Sequence, residues 1–173
     1  RLAIEANPLD SSSERNAAIG RKGRAQGRMD FFSGLIGDGK MEYRRFGKTD
    51  WEVSEIGLGG TWFYGRPEQG LRPVSHGVSV VERALELGVN YFDTAPLYGK
   101  GRSEEVMGAA LQGVTEPHFL ATKAGYYPEP FDYTRDTVWR GFDASLKRLR
   151  RDHVDLLQIH ETEQAGWDGV FGE

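Results

Sequence analysis

The chain has no cysteine in its 173 residues. That excludes disulfides and thiolate metal sites, and leaves the redox compartment open. No apolar run approaches the length of a membrane span. Neither sign of charge dominates: 22 Lys and Arg stand against 26 Asp and Glu, a formal net charge of -4. No strong overall attraction to nucleic acid or to an anionic membrane is expected at that balance. Several catalytic signatures are missing as well. "GLGGTW" carries Trp62 where G-x-G-x-x-G from Gly57 needs glycine, so the dinucleotide fingerprint fails. "HETEQ" (160–164) has Gln164 where a zinc-protease motif needs histidine. There is no G-x-S-x-G elbow and no P-loop. "KRLRR" (147–151) sits at the end of a helical pattern in a net acidic chain, and reads as a solvated cationic helix end rather than a nucleic-acid patch.

What is present divides at about Met41. Residues 1–40 hold 7 Lys and Arg against 5 Asp and Glu, and residues 41–173 hold 15 against 21. The first stretch lacks sustained periodicity, and "SSSERNAAIGRKGRAQGR" is rich in Ser, Gly, Arg and Ala. It reads as a poorly ordered leader or upstream extension. Its acids, Glu5, Asp10, Glu14 and Asp30, argue against a transit peptide, and an apolar secretory core is missing. A cytoplasmic location is expected. "MDFFSGLIG" (29–37) could form a short helix, and Met29 and Met41 are both possible starts.

From Met41 onward the pattern is regular. Two short strands flank a turn at "GKTD", and "IGLGG" (56–60) is a short apolar strand ending in glycines. "SHGVSVVERALELG" (75–88) places Val78, Val81 and Leu85 on one helical face, with Ser75 as a cap and Gly88 as a stop. "VNYFD" (89–93) is a strand, and "SEEVMGAAL" (103–111) a helix with acids in its first turn. "HFLATK" (118–123) is a strand. "TRDTVWRGFDASLKRLR" (134–150) spaces Val138, Phe142, Leu146 and Leu149 at helical intervals, and "VDLLQIH" (154–160) is the last strand. A hairpin followed by alternating strands and helices predicts an α/β fold with parallel strands and right-handed crossovers. An open doubly wound sheet and part of a (β/α)8 barrel fit this pattern equally.

Three predicted strands end on reactive groups: Asp93, Lys123 and His160. Tyr98 follows Asp93 in the loop "TAPLYG". Sites in parallel α/β sheets assemble at the carboxyl ends of strands, so these side chains are expected to converge. Taken singly, each would serve equally well as an ion pair, a cap or loop packing. Together they are complementary. Asp93 can act as counter-ion to Lys123, and an ammonium beside a phenol favours phenolate and so improves the phenol as a proton donor. His160 could orient a carbonyl oxygen. The set suits protonation of an oxygen as hydride arrives at carbon.

"YRRFGKTDWEVSEIGLGG", "NYFDTAPLYGKGRSEEVMG", "ATKAG" and "SLKRLRRDHVDLLQIH" resemble, in that order, the N-terminal half of aldo-keto reductases. The resemblance runs from Met41 to about His160 and selects the (β/α)8 TIM barrel, here its N-terminal hairpin and first four strands. It implies NADP(H) as cofactor, with NAD possible, bound without a Rossmann fingerprint. It implies a catalytic tetrad of Asp93, Tyr98, Lys123 and His160, with Tyr98 as general acid/base, Lys123 tuning it, Asp93 supporting Lys123 and His160 positioning the substrate oxygen. Gly60, Thr61 and Trp62, with Asp93, would lie beside the nicotinamide. The implied substrate is a small carbonyl or sugar, and "FDTAPLYGKGRSEE" is most similar to members that oxidise aldoses at C1. No metal, nucleic-acid or membrane partner is implied.

A full barrel needs eight strand-helix units, and in the family the later strands hold the carboxamide and the adenosine phosphate. The expected missing partner is therefore the C-terminal half-barrel. The chain is expected to be a fragment of a longer product, or else a half-barrel that pairs. Alone it is expected to be catalytically inert, with no measurable NADPH binding. A cofactor-sensing regulatory subunit of the same fold is the competing expectation.

Overall fold

The computed structural model describes residues 40–63, 65, 70, 72–125, 132–164 and 166–171. The expected leader over 1–40, Lys40 apart, and the expected helix at 29–37 lie outside the described residues. The hairpin is β1 (Tyr43–Arg45) paired antiparallel with β2 (Glu52–Ser54). Its loop is longer than "GKTD" alone, because Thr49 Oγ1 and Thr49 N both bond to the Phe46 carbonyl and close a wider turn.

The four-stranded parallel sheet runs β3 (Leu58–Gly59), β4 (Tyr91–Asp93), β5 (Phe119–Ala124) and β6 (Leu156–Ile159), in chain order. Three helices make the crossovers: α1 (Val74–Glu86), α2 (Arg102–Ala110) and α3 (Arg135–Leu149). A short helix α4 (Gly166–Phe171) follows β6. α1 packs on α2, α2 on α3, and α3 on β5.

Alternation along the strands separates two faces of the sheet. Phe92, Leu120 and Thr122 are fully buried. Their neighbours Tyr91, Asp93, Phe119 and Lys123 form the other face, which the hairpin closes at one end. Helices over one face and a hairpin against the other are the arrangement of a (β/α)8 barrel. A doubly wound sheet would carry helices on both. The chain therefore forms the N-terminal hairpin and first four strands of that barrel.

Several element boundaries differ from expectation. β3 has only two residues: the Gly60 N–H still donates to the Asp93 carbonyl of β4 at 2.8 Å, but the chain then turns, the Phe63 N–H donating back to the Gly60 carbonyl at 3.2 Å. Ser75 is not a cap. Pro73 occupies that position, and no side chain caps α1. The buried stripe of α1 is Gly77, Val81 and Ala84, with Val78 and Leu85 half-buried beside it. Gly77 is required there, since a β-carbon would lie 2.6 Å from Val106 Cγ1 of α2. At the stop, Gly88 has φ +86, and its carbonyl accepts from the Tyr43 hydroxyl at 2.9 Å.

Candidate active site

Register brings the predicted residues together. Asp93 of β4 is level with Ala121 of β5, and Lys123 lies two residues beyond Ala121 on the same face. The lysine reaches back, and its Nζ donates to Asp93 Oδ1 at 2.5 Å and Oδ2 at 2.6 Å. A third bond goes to the Thr94 carbonyl at 3.1 Å. Lys123 pairs in register with Gln158 of β6, so His160, two residues past Gln158, follows it on the same face. The His160 N–H donates to the Ala124 carbonyl at 2.8 Å and holds this exit against β5.

Tyr98 comes from the loop after β4. Gly99, Lys100 and Gly101 follow it with φ of +61, +55 and +90, a left-handed run that turns the chain sharply into α2. Two glycines in three positions make that run possible; Lys100 adopts it only between them. The Tyr98 ring meets the His160 ring edge-on, with centroids 5.7 Å apart, and Lys123 Nζ lies 5.4 Å from the Tyr98 centroid. An acid, an ammonium, a phenol and an imidazole thus share one mouth of the sheet.

The electrostatics follow from burial. His160 is 8% exposed. Its imidazole is held below the ordinary histidine value, chiefly by burial and then by the Lys123 charge, with Asp93 and Glu163 pulling the other way. It is therefore a neutral hydrogen-bonding group near neutral pH. Tyr91, on the same face one layer down, is pushed up by burial and by Asp93, and stays a neutral phenol.

Gly60, Thr61 and Trp62 form the turn at the exit of β3, at the same mouth as Asp93. A β-carbon on Gly60 would lie 2.2 Å from Ser103 Oγ, so only glycine allows this close approach to α2. Trp62 is exposed.

A second layer behind the mouth was not legible in the motifs. Thr94 Oγ1 and Ser103 Oγ are 2.7 Å apart, and Thr122 Oγ1 donates to Glu104 Oε1 at 2.6 Å. Glu104 is fully buried, and Arg148 Nε donates to its Oε2 at 2.7 Å. The first turn of α2 is thereby tied to both strands that carry the Asp93–Lys123 pair. Two expectations change. Glu104 is a buried partner, where a helix-dipole acid was expected. "KRLRR" is solvated only in part: Lys147 and Arg150 are exposed, but Arg148 holds Glu104 and Arg151 contacts His118. Among the described residues no cluster could hold a metal ion, and no helix is long and apolar enough to cross a membrane.

Known proteins resemble this chain in sequence and in fold. The model of the aldo/keto reductase family fits residues 55–165, and the chain belongs to that family. L-galactose dehydrogenase of Arabidopsis thaliana is 36% identical over 143 residues, covering 78% of this chain and 42% of the relative. A putative voltage-gated potassium channel subunit beta of Schizosaccharomyces pombe is 32% identical over 131 residues, 71% of this chain and 37% of the relative. The solved structure of an aldo-keto reductase from Klebsiella pneumoniae in complex with NADPH aligns with a TM-score of 0.55 at 30% identity. It covers 69% of this chain and 39% of that one. The chain spans about two fifths of the length of the curated relatives it matches.

Proposed function

We propose that the protein is an NAD(P)H-dependent oxidoreductase that transfers hydride reversibly between nicotinamide and a carbonyl or hydroxyl carbon. The substrate class is an aldehyde, a ketone or the C1 of an aldose. The observation that carries this reading is the convergence of the Asp93–Lys123 ion pair, the Tyr98 ring and the buried neutral His160 at one mouth of the sheet. Residues 41–173 act as the N-terminal half of the barrel, and a C-terminal half-barrel completes the cofactor site.

The residues present fit the reactive end of a nicotinamide. The Gly60–Thr61–Trp62 turn is locked against α2 and stands at the same mouth as Asp93, so a flat ring laid there would be within reach of the tetrad. Bound NADP(H), or NAD(H), supplies or accepts the hydride. In the reducing direction Tyr98 donates its phenolic proton to the substrate oxygen. Lys123 stabilises the charge left on the phenolic oxygen, and Asp93 keeps Lys123 charged and directed inward. His160, neutral, hydrogen-bonds the substrate oxygen and sets its orientation. The oxidising direction runs the same steps backwards, with Tyr98 taking up the proton. The reading places the protein in the cytoplasm, working on small molecules.

Replacing Tyr98 by Phe tests this directly. In the complete protein kcat should fall by at least about 10²-fold while nicotinamide binding holds, because only the proton donor is lost. Near-normal turnover in Tyr98→Phe sinks the role given to Tyr98. The similarity to a channel subunit β favours a second reading, a cofactor-sensing regulatory subunit. That protein would bind a membrane partner tightly and show negligible turnover on any carbonyl or sugar.

A further inference from the structure

Tyr133 lies outside every motif that marks the mouth, in the segment leading into α3. Its hydroxyl is 2.8 Å from the His160 carbonyl and 2.8 Å from the Glu161 carbonyl, so one O–H serves two consecutive acceptors. The backbone it holds is strained. Glu161 has φ +52, a left-handed conformation that a non-glycine residue keeps only when its surroundings enforce it.

The ring is placed as firmly as the hydroxyl. It lies against Gly125, where a β-carbon would come within 2.2 Å of Tyr133 Cδ1, and Gly125 itself has φ +91. Tyr133 thus bridges the exits of β5 and β6, two residues beyond Lys123 on one side and at His160 on the other. The imidazole that meets the Tyr98 ring projects from the very backbone turn that the Tyr133 hydroxyl holds.

We propose that Tyr133 is a positioning residue for His160, its hydroxyl fixing the turn from which the imidazole reaches the mouth. The proposal rests on the functional reading above only for its effect on turnover. The effect on the imidazole itself stands apart from any activity. Three charged groups act on that imidazole, Lys123, Asp93 and Glu163, and none of them is altered by removing the Tyr133 hydroxyl.

The test is Tyr133→Phe in the full chain, with Tyr43→Phe as control. Tyr43 also donates its hydroxyl to a carbonyl, that of Gly88, but at the hairpin. NMR of the His160 ring is the readout. In Tyr133→Phe the ring signals should shift and broaden, and the titration midpoint should rise toward the ordinary 6.5 as the turn loosens and admits water. Tyr43→Phe should leave both unchanged. Unchanged His160 signals in Tyr133→Phe overturn the proposal. An equal shift in Tyr43→Phe overturns it too, because the effect would then be general loosening. Loss of the folded state in Tyr133→Phe does the same, by making the hydroxyl a stability element. In the complete protein, kcat should fall about tenfold with the KM for cofactor unchanged. If Tyr98→Phe keeps full turnover, the functional reading fails while the NMR result still decides this proposal.

Discussion

The two ends of the inner sheet face are built from opposite materials. At the base, Phe46 and Trp51 of the hairpin loop stack on each other and on Tyr91 and Phe119, with centroids 4.9 to 5.7 Å apart. Asn90 locks this base. Its Oδ1 accepts from Ser54 N at 2.7 Å and its Nδ2 donates to the Glu52 carbonyl at 2.9 Å. At the mouth, the same strands end on charges, a phenol and an imidazole, amid a run of left-handed turns. One end is a part-buried aromatic stack whose left-handed positions, Gly47 and Gly88, are both glycine. The other gathers polar groups that are buried or part-buried, His160 the most enclosed of them at 8% exposed. A few residues of strand length separate the aromatic base from the candidate site at the mouth, so each should be open to disturbance without the other.

Lys123→Met is the strongest break in that comparison. It removes the ammonium from beside Tyr98 and should lower kcat of the complete protein by about 10²–10⁴-fold, with the folded hairpin untouched by circular dichroism. Arg148→Met comes next and strikes the layer behind the mouth. It removes the cationic partner of the fully buried Glu104 and leaves that carboxylate only the Thr122 hydroxyl. Chemical denaturation should show a loss of about 3–5 kcal/mol. Trp51→Ala at the base should cost about 2–3 kcal/mol, less than a fully buried aromatic because Trp51 is only half-buried. It should leave the His160 ring signals in place. A mouth that moves with Trp51→Ala would show that the two ends are not independent.

The smallest effect is on pH. The folded value of His160 lies below its unfolded value. Its contribution is therefore present above about pH 6.5 and is lost as pH falls through the folded value, because the unfolded chain binds the proton first. Stability measured from pH 7 down to 5 should decline, and His160→Gln should flatten part of that decline.

The mouth was legible because period-two alternation and strand ends are local facts. Asp93, Lys123 and His160 each close an apolar run, and Tyr98 follows one of them. Element order was legible for the same reason. The extents were not. β3 stops after Gly59 because the chain turns at Gly60, where it packs against Ser103 of α2, a contact made with a residue more than forty positions on. The burial of Glu104 was hidden for a comparable reason. An acid in a first helical turn is ordinarily solvated, and only the meeting of α2 with β5 and α3 brings Thr122 and Arg148 to it. Tyr133 gives no signal at all in the sequence, because its partners are main-chain carbonyls and any residue would supply those.

The order of the strands across the sheet carries a consequence for how the molecule comes into being. β3, β4, β5 and β6 stand side by side in the order in which a ribosome makes them. Each strand therefore docks on the one finished just before it, and none has to be inserted between two already paired. The intervening helix closes each step at a sequence separation of about thirty residues, a modest loop-closure penalty for a parallel sheet. The fold can lengthen unit by unit during synthesis. At every stage the sheet has two edges, β3 and the newest strand, and in the observed order the next strand joins the newest.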